Sequence, residues 1–211
     1  MKRIISVLML FCTVLGLCSC SKTDYDVRKI GAFTVEQTDE ATDYIRIVMK
    51  NGDAMLIELY PSIAPITVEN FKNLVSEHYY DGITFHRVIE GFMIQGGDPD
   101  GDGYSNGDRP AIKGEFSLNG VENNLQHKRG VISMARSTHP DSASTQFFIM
   151  HNTDARLDGQ YAAFGMMLAG FDTLDKIASV KTDGNDKPQK DQIIAEIRFV
   201  KIISSDVIIT G

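Results

Sequence analysis

The stretch Tyr44-Ile45-Arg46-Ile47-Val48-Met49-Lys50-Asn51-Gly52-Asp53-Ala54-Met55-Leu56-Ile57-Glu58-Leu59-Tyr60 reads as two short strands around a turn. Aliphatic and β-branched residues fill both halves, and Asn51-Gly52 supplies the positive φ angles that a tight hairpin turn requires. Just beyond, Pro61 and Pro65 break strand character. From about Pro65, apolar Val68, Phe71, Leu74 and Val75 recur at helical spacing, and Pro65 suits a first helical turn. A second helix is predicted from about Phe171 to Val180, with Phe171, Leu174, Ile177 and Ala178 on one face. Short strand-like runs occupy Thr84–Val88, Met93–Gly96, Val131–Ala135, Gln146–His151 and Ala162–Met167, and Ile193–Ile203 closes the pattern. Nothing repeats at a fixed period, and no interior linker divides the chain. Two helices cannot cover both faces of an open eight-stranded sheet, whereas closure removes the exposed edges. The expected fold is therefore all-β: a closed eight-stranded antiparallel barrel over residues 42–204, capped by two α-helices, with 205–211 as a tail.

The 211 residues are 43% hydrophobic and 23% charged, values that suit one globular domain. They exclude a disordered chain, a collagen-like repeat and a polytopic membrane protein. The formal net charge is −7 and no long Lys/Arg block occurs, so nucleic acid is not an expected partner.

All three cysteines (Cys12, Cys18, Cys20) lie at the front, which excludes a disulfide framework or a cysteine metal site in the body. Lys2 and Arg3 precede the apolar run Ile4–Leu17, which falls short of the roughly 20 residues a membrane-spanning helix needs. Residues 1–19 therefore read as a signal peptide. Leu17-Cys18-Ser19-Cys20 resembles a bacterial lipobox, in which cleavage precedes a cysteine that carries lipid. Cys20 fits that role; Cys18 fits less well, because Leu17 stands where a small residue belongs. The alternative is an ordinary secretory signal with incidental cysteines. Cleavage removes Lys2 and Arg3, leaving 19 basic against 28 acidic side chains and a net charge of −9. Such a protein would be extracytoplasmic and held to an envelope membrane by its lipid, at the periplasmic face or the outer membrane; Ser21, rather than Asp, after the cysteine leans toward the outer membrane. Residues 20–41 are polar and aperiodic and read as a tether, spanning roughly 25 Å as a flexible chain. Ile30–Val35 is open to a second reading as a short strand.

Several motifs do not carry chemistry. Asp98-Pro99-Asp100-Gly101-Asp102-Gly103 imitates the start of a calcium loop, but Arg109 occupies the twelfth place, where a bidentate carboxylate is required. There is no Gly-x-Ser-x-Gly elbow, and His78, His86, His127, His139 and His151 do not approach metal-ligand spacing. No metal and no cofactor are expected.

The segment Phe85-His86-Arg87-Val88-Ile89-Glu90-Gly91-Phe92-Met93-Ile94-Gln95-Gly96-Gly97-Asp98 resembles the signature of the cyclophilin-type peptidyl-prolyl isomerases. Matching stretches are Ala64–Phe71, Lys113–Phe116, Gly130–Ala135, Ser144–Ile149 and Leu157–Gly165, in order over about residues 43–203. The family fold is an eight-stranded antiparallel barrel with two helical caps, in agreement with the pattern above.

An X-Pro bond prefers trans by only about 0.5–1 kcal/mol. Its exchange is slow because amide resonance raises a barrier of about 18–20 kcal/mol. An apolar pocket that holds the ring, with one donor that favours the twisted amide, lowers that barrier without a covalent step. By resemblance, Arg87 is the donor, with Phe92 and Gln95 also in the catalytic set. Met93, Phe148 and Leu157 join Phe92 in a proline pocket, while Ala135, Arg136, Gln146 and Tyr161 line the peptide groove. Alternation places Phe147 and Ile149 in the core, opposite Phe148, and Phe85 is read as core as well. His86 is read as structural, since no proton must be captured.

Two positions depart from the family. Arg156 stands where many eukaryotic members carry a cyclosporin-contacting Trp, and Arg136 where Asn is common, which puts cyclosporin sensitivity in question. Together they suggest a basic rim favouring peptides with acidic flanks. The function implied is isomerisation of X-Pro bonds in unfolded exported proteins by a monomer. A non-catalytic proline-peptide-binding module or holdase, and a structural envelope lipoprotein, are the alternatives.

Overall fold

The computed structural model describes residues 26–104 and 108–206. The expected signal segment, the cysteine expected to carry lipid (Cys20) and residues 207–211 lie outside the described residues. Ten strands form one antiparallel sheet: β1 (Val27–Ile30), β2 (Phe33–Gln37), β3 (Tyr44–Met49), β4 (Ala54–Leu59), β5 (Arg87–Ile89), β6 (Met93–Gly96), β7 (Val131–Met134), β8 (Phe147–Met150), β9 (Ala163–Ala169) and β10 (Ile194–Ser205). Their order is β1-β2-β10-β3-β4-β9-β7-β8-β6-β5.

The last eight strands make the expected barrel. Its two ends meet just before β5 and β10, where Phe85 N–H donates to Gln192 O (2.9 Å) and Ile194 N–H to Ile83 O (2.8 Å). Thr84 and Ile193 form a bridge there, so the run predicted as a strand over Thr84–Val88 serves first as the closing seam and only then as β5.

Helices α1 (Pro65–Ser76) and α2 (Phe171–Ala178) send Val68, Phe71, Leu74, Val75, Leu174 and Ile177 into the barrel interior. Ala64 at the N-cap of α1 has no side-chain acceptor to offer. The buried Glu115 carboxylate replaces it, accepting from Ile66 N–H (3.0 Å), Thr67 N–H (2.8 Å) and Thr67 Oγ1 (2.7 Å).

The β3–β4 turn differs from a two-residue turn with two positive φ angles. Gly52 alone takes one, at +89°. Its N–H donates to Met49 O, and Met49 N–H donates to Asp53 O (both 2.8 Å). This is a type I turn followed by a left-handed glycine.

The sheet begins at Val27 rather than at residue 42, which corrects the reading of 20–41 as a tether. β1 and β2 form a hairpin, and β2 pairs with the far half of β10, Val200–Ser205. The physical reason lies outside the segment: Ile30 and Val35 pack on Leu56, Ala169 and Val200 from the outer barrel wall. The same cover explains Arg46. Alternation turns Arg46 outward from β3, yet it is 1% exposed. Its Nη2 donates to Gln37 Oε1 (2.7 Å) and Glu196 Oε1 (2.9 Å) and lies 3.0 Å from Asp26 Oδ2. A hydrogen-bonded guanidinium is thus sealed between hairpin and barrel, as a buried charge requires.

Candidate active site

The strand period of two divides β6 and β8 between two surfaces. Ile94, Phe147 and Ile149 point into the barrel core, while Met93, Phe148 and Met150 face outward and join Val131 and Ala163 in a separate apolar cluster. Phe85 also belongs to the core, as expected. The outward cluster floors an open groove of about 320 Å³. Arg87, Phe92, Met93, Gln95, Ala135, Arg136, Phe148, Leu157 and Tyr161 line it, and all nine are among the ten groove residues named from sequence.

Gln146, the tenth, lines an adjoining cavity of about 350 Å³ with Ser137, Ser142, Ser144, Thr145 and Tyr104. Gln95, Ala135 and Arg136 border both spaces. Gln95 Nε2 donates to Gln146 Oε1 (2.9 Å), and Gln146 Nε2 donates to Gly103 O (3.2 Å). The two amides therefore hold each other across the divide. Gly97, the residue just after β6, lies at φ +90°, and a β-carbon there would overlap Thr145's carbonyl oxygen. Glycine lets β6 approach the Thr145–Gln146 segment closely enough for this contact.

At one edge of the groove, Phe148 and Tyr161 meet edge to face, with centroids 5.8 Å apart. The Arg136 guanidinium lies 4.6 Å from the Tyr161 ring centre and donates to the carbonyls of Gln160 and Ser137. At the opposite side, Arg87 Nε stands 3.5 Å from Asp186 Oδ2. The groove thus combines an apolar floor with guanidinium and amide donors along its rim. That combination can bind a hydrophobic ring and present hydrogen bonds to the backbone beside it.

The basic rim is half of what the two arginines suggested. Arg156 donates through Nε and Nη2 to Asp154, which holds that carboxyl down to about 2 and offsets the Arg156 charge locally. Arg136 donates to carbonyls, so of these two arginines it alone brings positive charge to the groove. The Asp98 loop also has an internal purpose: the buried Asp98 carboxylate accepts from the backbone N–H of Asp100 (3.0 Å) and of Gly103.

Sequence reasoning overlooked a polar chain beneath the floor. His127 stacks on Phe148 (6.0 Å, 17°). Its Nδ1 lies 3.0 Å from Asp158 Oδ1 and its Nε2 3.0 Å from Ser133 Oγ. The carboxylate only accepts, so Nδ1 carries the proton and Nε2 accepts from the serine hydroxyl. His127 and Ser133 are fully buried, and no local motif marks residues six and 31 apart as partners. His151 positions a second part of the groove, because Gly91 N–H donates to its Nδ1 (2.8 Å) and so fixes the turn that carries Phe92.

Burial pushes the pKa of His127 below its ordinary 6.5, against the pull of Asp158, and burial does the same to His86. Each is protonated more readily in the unfolded chain than in the barrel. Their contribution to stability is therefore complete above pH 6.5 and drains away as pH falls below it towards the folded-state pKa. The expected result is a lower urea midpoint at pH 5.5 than at pH 7.5, with a smaller drop in His127→Gln. Equal midpoints for the wild type would contradict this assignment.

The family model of the cyclophilin type peptidyl-prolyl cis-trans isomerase/CLD matches residues 44–199. A peptidyl-prolyl cis-trans isomerase of Schizosaccharomyces pombe is 37% identical over 151 residues, covering 71% of this chain and 92% of that protein. Peptidyl-prolyl cis-trans isomerase A of Dickeya dadantii is 40% identical over 147 residues, covering 65% and 75%. Among solved structures, a cyclophilin type isomerase of Cryptosporidium parvum, determined in the presence of the dipeptide Ala-Pro, superimposes with TM-score 0.67. That pair is 32% identical and covers 77% of this chain and 99% of the other. A family match spanning the barrel, relatives named as isomerases and a groove built from the expected residues lead to one conclusion: this chain belongs to the cyclophilin-type peptidyl-prolyl cis-trans isomerase family.

Proposed function

We propose that this isomerase is exported, carries lipid on Cys20, and acts as a monomer at an envelope membrane on X-Pro bonds of unfolded exported proteins. Within the groove, the proline ring rests on Phe92, Met93, Phe148 and Leu157, and Arg87 donates to the amide as it twists. Gln95, with Gln146, Ala135, Arg136 and Tyr161, holds the flanking peptide. The observation that carries this reading is the single groove in which an apolar floor meets the Arg87 guanidinium. The Ala-Pro dipeptide named with the Cryptosporidium parvum structure supports a proline-containing ligand.

The rate enhancement needs no cofactor. Resonance holds the amide planar, and in the twisted state the nitrogen regains its lone pair. A donor aimed at that state lowers the barrier because its hydrogen bond is stronger there than in either planar isomer. The activity test is the relaxation of a cis X-Pro peptide with and without the protein. Peptide binding without acceleration would favour a holdase.

Anchoring has its own test. More than one acyl chain, at about 0.8 kcal/mol per buried methylene, gives durable attachment without a spanning helix. Cys20→Ala is expected to move the protein from the membrane to the soluble fraction on cell fractionation. Retention of that variant with the membranes would remove the lipid from the proposal.

A further inference from the structure

We propose that Asp186 is a positioning residue for Arg87: it engages the guanidinium at Nε and leaves the two terminal nitrogens as the donors available to a bound peptide. This rests on the reading of Arg87 as the donor. Asp186 lies in the loop between α2 and β10, 99 positions along the chain from Arg87, and no sequence motif links them. The structure brings them together twice. Val88 N–H donates to Asp186 O (2.8 Å), tying the loop backbone to β5 one residue past Arg87. The Asp186 carboxylate then stands 3.5 Å from Arg87 Nε.

The loop is built to present that carboxylate. Asp183 accepts through Oδ1 from Asn185 N–H (2.8 Å) and Lys187 N–H (3.0 Å), and its own N–H donates to Lys187 O (2.8 Å). Thr182 and Pro188 close the base as a bridge. Lys187 Nζ donates to Gly101 O (3.1 Å), fastening the loop to the segment beside the second cavity. Asp186 itself adopts φ +63°, a left-handed conformation that Asp and Asn tolerate better than most side chains.

Fold stability does not explain the pair. The two side chains are 41% and 43% exposed, and ion pairs in that setting contribute little to folding. Their effect falls instead on where the guanidinium sits. A free arginine side chain samples many rotamers, and fixing it on the substrate carries an entropy cost. A carboxylate at Nε removes part of that freedom in advance, while the guanidinium keeps its Nη edge, with no hydrogen-bond partner among the described residues, at the groove it lines.

Asp186→Asn and Asp186→Gly separate charge from backbone, since both residues accept a left-handed φ. In Asp186→Asn, kcat for X-Pro isomerisation is expected to fall about 5- to 10-fold through lost positioning. KM and the urea midpoint should remain near wild type. Asp186→Gly should match it, and the order parameter of Arg87 Nε–H in the nuclear magnetic resonance spectrum should drop in both. Adding Asp186→Asn to Arg87→Ala should cost nothing further. An equal additional loss in that background, or unchanged kcat in both single variants, overturns the assignment. Full activity in Arg87→Ala would instead overturn the donor reading itself, and this proposal with it.

Discussion

Arg87→Ala is expected to lower kcat/KM for X-Pro isomerisation by about 10²–10³-fold, the range seen when one donor to a developing charge is removed. The loss should fall mainly on kcat. Arg87 lies at the edge of the groove, whereas Met93 and Phe148 on its floor are nearly fully buried. The planar ground state therefore keeps most of its binding area in the variant. What disappears is a hydrogen bond strengthened in the twisted state, and an interaction of that kind lowers kcat without raising KM. Stability should hardly change, because Arg87 is 41% exposed and its contact with Asp186 lies at the surface. Relaxation of a cis X-Pro peptide, followed at several substrate concentrations with matched urea denaturation, checks all three statements. A rise in KM at constant kcat would move Arg87 from the chemistry to ground-state binding.

The adjacent residues Phe147 and Phe148 should separate stability from activity. Phe147 is fully buried and meets Phe71, Tyr80 and Phe85 edge to face, with centroids 5.5, 5.4 and 6.1 Å away. Truncation to Ala leaves a cavity where α1 packs against the barrel, and costs of about 3–5 kcal/mol are usual for such a change. Phe148 faces the groove against His127 and Tyr161, where solvent can enter the vacated space. Phe148→Ala should therefore raise KM strongly with a smaller drop in the urea midpoint. Similar midpoints for the two variants would contradict the opposite orientations assigned to them.

That pair also shows what was legible in the sequence. Residues i and i+1 in a strand face opposite ways, so local alternation was enough to separate Phe147 from Phe148. Helix α1 was legible for the same reason: its signals lie within one or two turns of each other. The proline-pocket roles needed more than periodicity, since Phe92 and Met93 look like ordinary core residues without the family resemblance. Long-range partners were not legible at all. Glu115 caps a helix 49 residues before it. Asp186 reaches back to Arg87, and His127 pairs with an aspartate 31 positions on. The hairpin of β1 and β2 was legible only as a second reading of Ile30–Val35 as one short strand, because the segment is stabilised by the surface it covers. Arg46, which resembles a solvent-facing strand residue, becomes buried for the same reason.

Under the proposed lipidation of Cys20, that hairpin would set the standoff between anchor and enzyme. Asp26, just before β1, is only six peptide steps from Cys20, and six residues reach no further than about 20 Å even when fully extended. A lipid on Cys20 would thus moor the barrel close to the bilayer rather than let it roam on a long leash. The hairpin packs on the wall formed by β10, β4 and β9, whereas the groove opens on the wall of β6, β8 and β7. A client emerging at such a membrane would meet an enzyme of restricted reach, with the hairpin covering one wall of the barrel and the groove open on another.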